Sequence, residues 1–199
     1  MARDPDLLVI ACGAIAHELM AVIRANRWQD VKVQCLPAEL HNRPERIPEA
    51  VRAKIRAARE CFQRIFVAYA DCGTGGLLDA VLAEEGVERL PGAHCYEFFA
   101  GSRRFAALAE AEPGSFYLTD FLVRHFERLV IHGLGLERHP ELMPMYFGHY
   151  RRLVYLAQRH DPYLQEQAHR AAERLGLEYE YHYTGYGELE PALKAVHQP

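Results

Sequence analysis

An unbroken apolar run, LLVIAC at residues 7–12, opens the patterned part of the chain and stops at Gly13. A parallel strand buried on both faces presents such a run. In AIAHELMAVIRANR (14–27), Ile15, Leu19, Val22 and Ile23 share one helical face. VKVQC (31–35) then alternates as a strand. After the loop-like LPAELHNRPERIP, EAVRAKIRAARECF (49–62) holds Val51, Ile55, Ala58 and Phe62 in helical register. The pattern then repeats. RIFVAYA (64–70) predicts a strand, DCGTGG a turn, LLDAVLAEEG (77–86) a helix and GAHC (92–95) a short strand.

SRRFAALAEA (102–111) predicts a helix and SFYLTD (115–120) a strand, leading into FLVRHFERLVIHGLGL. HPELMPMYFGHY predicts a helical excursion, with Pro144 obscuring its ends. A third unit follows: RLVYLAQ (152–158) as a strand, PYLQEQAHRAAERLG (162–176) as a helix with proline at its start, and LEYEYHYTG (177–185) as an alternating strand. ELEPALKAV closes the chain as a helix. Strand–helix–strand thus recurs near 7–35, 64–95 and 152–183. Parallel strands require crossovers of this kind. The predicted fold is α/β and Rossmann-like, a largely parallel sheet with flanking helices. It reads as a single domain over 1–199, divisible into pseudo-repeated lobes at 1–100 and 101–199.

Composition narrows the classes of function. With 199 residues, 50% hydrophobic and 25% charged, the chain has the make-up of a packed globular protein. A net charge of −4 argues against a general nucleic-acid binder. No apolar run reaches the ~18 residues of a membrane span, and MARDPDLLVIACG lacks the pattern of a signal peptide. A cytoplasmic location is therefore expected, and its five cysteines then belong to metal binding, catalysis or packing rather than to disulfides.

Cys12, Cys35, Cys72 and Cys95 all fall at the carboxyl ends of predicted strands, and the intervals 12–35 and 72–95 are both 23 residues. Ligands of open parallel sheets collect at that edge. Convergent thiolates suit a soft metal, either zinc or an iron–sulfur cluster. Inert burial of the same thiols fits as well. In the metal reading Cys12, Cys72 and Cys95 are the main ligands and Cys35 or His41 the fourth. His41 lies in the loop at the same edge, whereas His94 points away from Cys95 if the strand continues. Cys61 reads as a mid-helix structural residue.

Gly73, Thr74, Gly75 and Gly76 form a turn able to cradle a small anion or cofactor, though without the P-loop lysine or a GxGxxG pattern. Asp71 reads as a helix cap, or with Glu97 as a base or an outer partner of a metal ligand. Glu39 is a further acid of this kind. Arg43 and Arg46 offer positive charge to an anionic substrate, and Tyr183, Tyr186 and Glu188 follow the last predicted strand.

ACGAIAHEL, LPAELHNRPERIP, YADCGTGG, GAHCYEFFAG, FYLTDFLVRHFERLV, LVYLAQ with DPYL, and TGYGELE together resemble the DUF1638 family over nearly the whole chain. That resemblance implies an association with corrinoid and folate-dependent methyl-transfer systems, hence one-carbon metabolism and a corrinoid or methyltransferase protein as partner. It carries over no catalytic residues. Three functions remain open at this point. The first is a thiolate-ligated metal protein, an enzyme or enzyme component acting on a small-molecule substrate. The second is a metal-free binding or accessory protein. The third is a metal-free cysteine enzyme using Cys72 with His94 or His41 as its base.

Overall fold

The computed structural model describes residues 6–197. The chain divides into two compact units, one of residues 6–98 with 188–197 and one of residues 99–187. The division falls near the expected lobe boundary, but the end of the chain returns to the first unit. Both units are α/β with parallel sheets.

In the first unit the strands β1 (Leu7–Cys12), β2 (Val31–Leu36), β3 (Arg64–Ala68) and β4 (Glu88–Arg89) form one parallel sheet in the order β2-β1-β3-β4. Every residue of β1 is buried, as its unbroken apolar run requires of a central strand. At the sheet edge, β2 is half-exposed, and only Leu36 at its end is buried. Helix α1 (Ala16–Ala25) follows a short 3-10 turn and buries Leu19, Val22 and Ile23. Helix α2 (Ile47–Ala58) buries Ile47, Val51, Ile55 and Ala58, and α3 (Leu77–Glu85) buries Leu78, Val81 and Leu82. The C-terminal helix, Leu189–His197, buries Leu189 and Leu193. Arg64 donates to the Val196 carbonyl at 2.8 Å, and the His197 ring stacks on Trp28 at 4.4 Å while contacting Asp30 at 2.9 Å.

Two local expectations are corrected here. Helix α2 ends at Ala58, so Cys61 sits in the following turn and is exposed instead of lying mid-helix. Residues 92–95 are not a strand, because β4 ends at Arg89 and Cys95 opens helix α4 (Cys95–Ala100). The reason is local. Gly92 turns the chain at φ +98°, and the Glu97 carboxylate accepts from the Ala93 amide at 2.8 Å, which caps a helix start.

The second unit carries α5 (Ser102–Ala111), β5 (Ser115–Thr119), α6 (Asp120–Arg124), α7 (Met143–Phe147), β6 (Arg152–Ala157), α8 (Pro162–Leu175) and β7 (Glu178–Tyr183). Its strands are parallel in the order β5-β6-β7. Asp161 caps α8 through the Tyr163 and Leu164 amides, Pro162 occupies its first turn, and Gly176 closes it in the left-handed conformation. Pro144 lies in the first turn of α7, where its missing N–H is harmless. Leu118, Val123, Leu153, Tyr155 and Ala168 belong to the core of this unit. Asp120, fully buried at the end of β5, accepts from the Tyr155 hydroxyl at 2.7 Å and from the Gln158 amide at 3.0 Å.

Candidate metal centre

In the order β2-β1-β3-β4 the chain leaves β1 toward one side for β2 and returns on the other side for β3. The crevice beyond the carboxyl ends of β1 and β3 is therefore the topological switch point where ligands of such sheets bind. Cys12 ends β1, and Tyr69, Ala70, Asp71 and Cys72 follow directly from β3. Gly13 next to Cys12 has a steric reason: a Cβ there would meet the Leu36 carbonyl oxygen at 3.1 Å. Without one, the loop leaving β2 passes close enough to bring His41 over the crevice.

The DCGTGG turn is shaped by its own carboxylate. Asp71 accepts from the Thr74 hydroxyl at 2.5 Å and from the Gly76 and Gly75 amides at 3.0 and 3.1 Å. Thr74 in turn accepts from the Leu78 amide at 3.3 Å, capping α3. Burial alone would raise the Asp71 pKa, but these donors hold the carboxyl below its usual range. The Asp71 and Cys72 amides donate to the Gly92 and Ala93 carbonyls at 3.0 and 2.8 Å, stitching this loop to the one that carries Cys95. Cys72 itself has φ +52°, a left-handed conformation that side-chain-bearing residues avoid.

Cys12, Cys72, Cys95, His41 and Tyr69 line one cavity of about 10 Å³, closed by Ala68, Ala70 and Phe98 among others. A space of that size holds a single water or ion. The Cys12 sulfur accepts from the Ala14 amide at 3.3 Å and lies 3.8 Å from His41 Nδ1. His41 Nδ1 is also 3.0 Å from the Ala38 carbonyl. A carbonyl only accepts, so the proton belongs on Nδ1 and the free lone pair on Nε2, an orientation common in metal-bound histidines. His41 keeps an exposed edge, stacks on Tyr69 at 6.2 Å, and has its basicity lowered by burial.

Burial pushes the Cys12 thiol up to about 11 and the Cys72 thiol up to about 12, and it raises Cys95 well above the ordinary range. The thiols also oppose one another's ionisation, since the charge of Cys12 disfavours that of Cys72 and both disfavour that of Cys95. Without a cation all three are neutral at physiological pH. Among the described residues no group of three or more Cys, His, Asp or Glu side chains is placed so that it could hold a metal ion as it stands.

The remaining candidates lie as follows. Cys35 pairs in register with Ala11 while Leu36 pairs with Cys12, so Cys35 takes the opposite face; it is exposed and does not line the cavity. Glu97 is engaged by the Ala93 amide and Asp71 by its own turn, as described above. Two of the amides available for an anion cradle, those of Gly75 and Gly76, donate to Asp71. His94 is exposed, yet close enough for its charge to lower the basicity of His41. Glu39, Arg43 and Arg46 are exposed in the loop after β2. Tyr183 stacks on His160 in the second unit at 3.8 Å.

Sequence reasoning assigned no role to Tyr69, because a tyrosine inside an apolar strand reads as core. Its hydroxyl is buried, and burial with the nearby thiols raises its pKa, so it remains a donor.

No curated protein matches the chain. The family profile described as a protein of unknown function, DUF1638, matches residues 35–193, a span that includes His41, Cys72 and Cys95 but begins after Cys12. The chain belongs to the DUF1638 family.

Proposed function

We propose that the first unit holds one soft metal ion, zinc by preference, on the thiolates of Cys12, Cys72 and Cys95 with the His41 imidazole as fourth ligand. The observation that carries this reading is the shared lining: residues far apart in sequence meet around a space sized for one ion. A mononuclear ion fits that volume better than an iron–sulfur cluster. Three thiols and an imidazole are also the donor set that soft and borderline metals favour. A divalent cation reverses the effect of burial on the thiols, since it supplies the positive charge their ionisation lacks.

Bound there, the metal supplies Lewis acidity and lowers the pKa of a thiol that joins it. This chain contributes the rest. Cys12 and Cys72 come from the two strand ends at the switch point, and Cys95 from the start of α4. His41, on an exposed loop, is the ligand most easily exchanged for a small-molecule substrate. Such a centre suits an enzyme or enzyme component of one-carbon metabolism that activates a thiol for methyl transfer beside a corrinoid or methyltransferase partner. The five cysteines are free, which suits the reducing cytoplasm.

The metal-free readings draw less from the geometry. An anion cradle at DCGTGG would have to displace Asp71 from the Gly75 and Gly76 amides. A Cys72 nucleophile would have to ionise from a thiol pushed up to about 12.

Elemental analysis of protein isolated without oxygen tests the proposal. Near-stoichiometric zinc in a colourless protein is expected, lost in the Cys12→Ser, Cys72→Ser and Cys95→Ser variants and retained in Cys35→Ser and Cys61→Ser. Iron with sulfide and broad visible absorbance would replace zinc by a cluster. A protein that takes up no more metal than its triple serine variant would refute the metal reading.

A further inference from the structure

The cavity contains a polar group that the proposed ligand set leaves unused. Tyr69 is 1% exposed, and its hydroxyl is a buried atom without a hydrogen-bond partner. Buried hydroxyls are nearly always satisfied, and one that is not calls for an explanation. The phenol lines the cavity beside Cys12 and comes near enough to its sulfur to interact with it, but the contact falls short of hydrogen-bond geometry. A neutral thiol is a weak acceptor, and the Cys12 sulfur already accepts from the Ala14 amide at 3.3 Å. A metal-bound thiolate is a far stronger acceptor and takes charge-assisted hydrogen bonds.

We infer that Tyr69 is a positioning residue for the metal centre, its hydroxyl donating to the Cys12 thiolate once the ion is bound. The inference rests on the metal reading above and adds an outer donor to it. The weak approach of hydroxyl to thiol in the metal-free protein closes into a full hydrogen bond on metal uptake, so Tyr69 biases the site toward the loaded state. It also withdraws electron density from one sulfur. With donors from both Ala14 and Tyr69, the Cys12 thiolate becomes less nucleophilic than it would be with the Ala14 amide alone. The stacking of His41 against the same ring ties the imidazole to this arrangement. One side chain thus orients two of the four ligands.

The test compares the full chain with Tyr69→Phe, which keeps the ring and removes only the donor. Zinc affinity is measured by competition with a chromophoric chelator, and cobalt-loaded protein is read by its sulfur-to-metal charge-transfer band. Loss of an outer-shell hydrogen bond typically costs about 10–100-fold in metal affinity, and a drop in that range is expected for Tyr69→Phe. The cobalt band should move to longer wavelength as the Cys12 thiolate becomes richer in electrons. Thermal stability of the metal-free protein should stay equal or rise, because an unsatisfied buried hydroxyl has gone.

A second measurement keeps the native sequence, in case the variant folds poorly. Protein made with 3-fluorotyrosine carries a stronger phenol donor, and its cobalt band should move the opposite way, to shorter wavelength. If wild-type protein binds metal and neither substitution moves affinity or band, Tyr69 is a packing residue and only this inference falls. If wild-type protein takes up no metal, both the inference and the reading beneath it fall.

Discussion

Replacing Asp120 by alanine should be the most damaging single change in the second unit, and its size follows from what the carboxylate holds. Asp120 is fully buried. It accepts from Tyr155 Oη at 2.7 Å and from the Gln158 amide at 3.0 Å, and Arg159 and Arg124 approach at 3.4 and 3.6 Å. Removal leaves a buried hydroxyl and a buried N–H without partners, at about 1–3 kcal/mol each. Arg159 is half-exposed and rehydrates, so its ion pair adds about 0–1 kcal/mol. The sum is about 2–7 kcal/mol, a large share of an ordinary domain's stability.

Urea unfolding followed by far-UV circular dichroism measures this loss, and Tm should fall by about 4–28 °C. The only tryptophan, Trp28, lies in the first unit, so its fluorescence reports that unit separately. Asp120→Asn, which keeps an acceptor oxygen, should recover more than half of the loss. In a double-mutant cycle with Tyr155→Phe, the double variant should lose about 1–2 kcal/mol less than the sum of the single ones. A loss under about 1 kcal/mol for Asp120→Ala, or strict additivity in the cycle, would refute the account.

At position 72 the usual ranking of alanine over glycine should invert: relief of the left-handed strain, about 1–2 kcal/mol, exceeds the unfolded-state penalty of about 0.4–1. Metal-free Cys72→Gly should therefore resist urea slightly better than Cys72→Ala, while both lose the metal. Equal or reversed midpoints would discount strain at Cys72. In metal-free protein at pH 7.5, iodoacetamide should label exposed Cys35 and Cys61 first, with Cys12, Cys72 and Cys95 reacting mainly on unfolding; peptide mass spectrometry reads the order, and early labelling of Cys72 would contradict its burial. Asp30 and Asp79 are held below their usual 3.8, the first by His197 and the second by Arg89. Depressed carboxyls stabilise above that value and lose their contribution as pH falls through the lowered pKa. Stability should thus decline below about pH 4, with a shallower slope in Asp30→Asn/Asp79→Asn, and an unchanged acid limb would remove these pairs from its cause.

The periodic elements were legible because their signals are local. LLVIAC reads as a central strand from its unbroken apolar run, and α8 from Pro162 at its start, one apolar face and Gly176 at its end. Where reading failed, hydrophobic periodicity did not mark where an element begins or ends. GAHC looks like a strand until the Glu97 carboxylate reaches back to the Ala93 amide and starts a helix. RECF continues the periodicity of α2, yet the helix stops at Ala58 and leaves Cys61 in a turn. The equal 23-residue intervals drew attention to four cysteines, but only three line the cavity. Cys35 is separated from them by the two-residue alternation of its strand.

Hydrophobic patterning by itself determined most of the strands and helices, their parallel α/β class and the residue types available for chemistry, because each of those depends on neighbours within a few positions. Only the tertiary structure decided that β1 and β3 are adjacent, that their ends form the switch point, and that His41 and Tyr69 join Cys12, Cys72 and Cys95 there. Strand order and loop path are settled by packing between distant segments. A stretch such as DCGTGG carries its turn in its own glycines and Asp71, but not the identity of the residues it will meet.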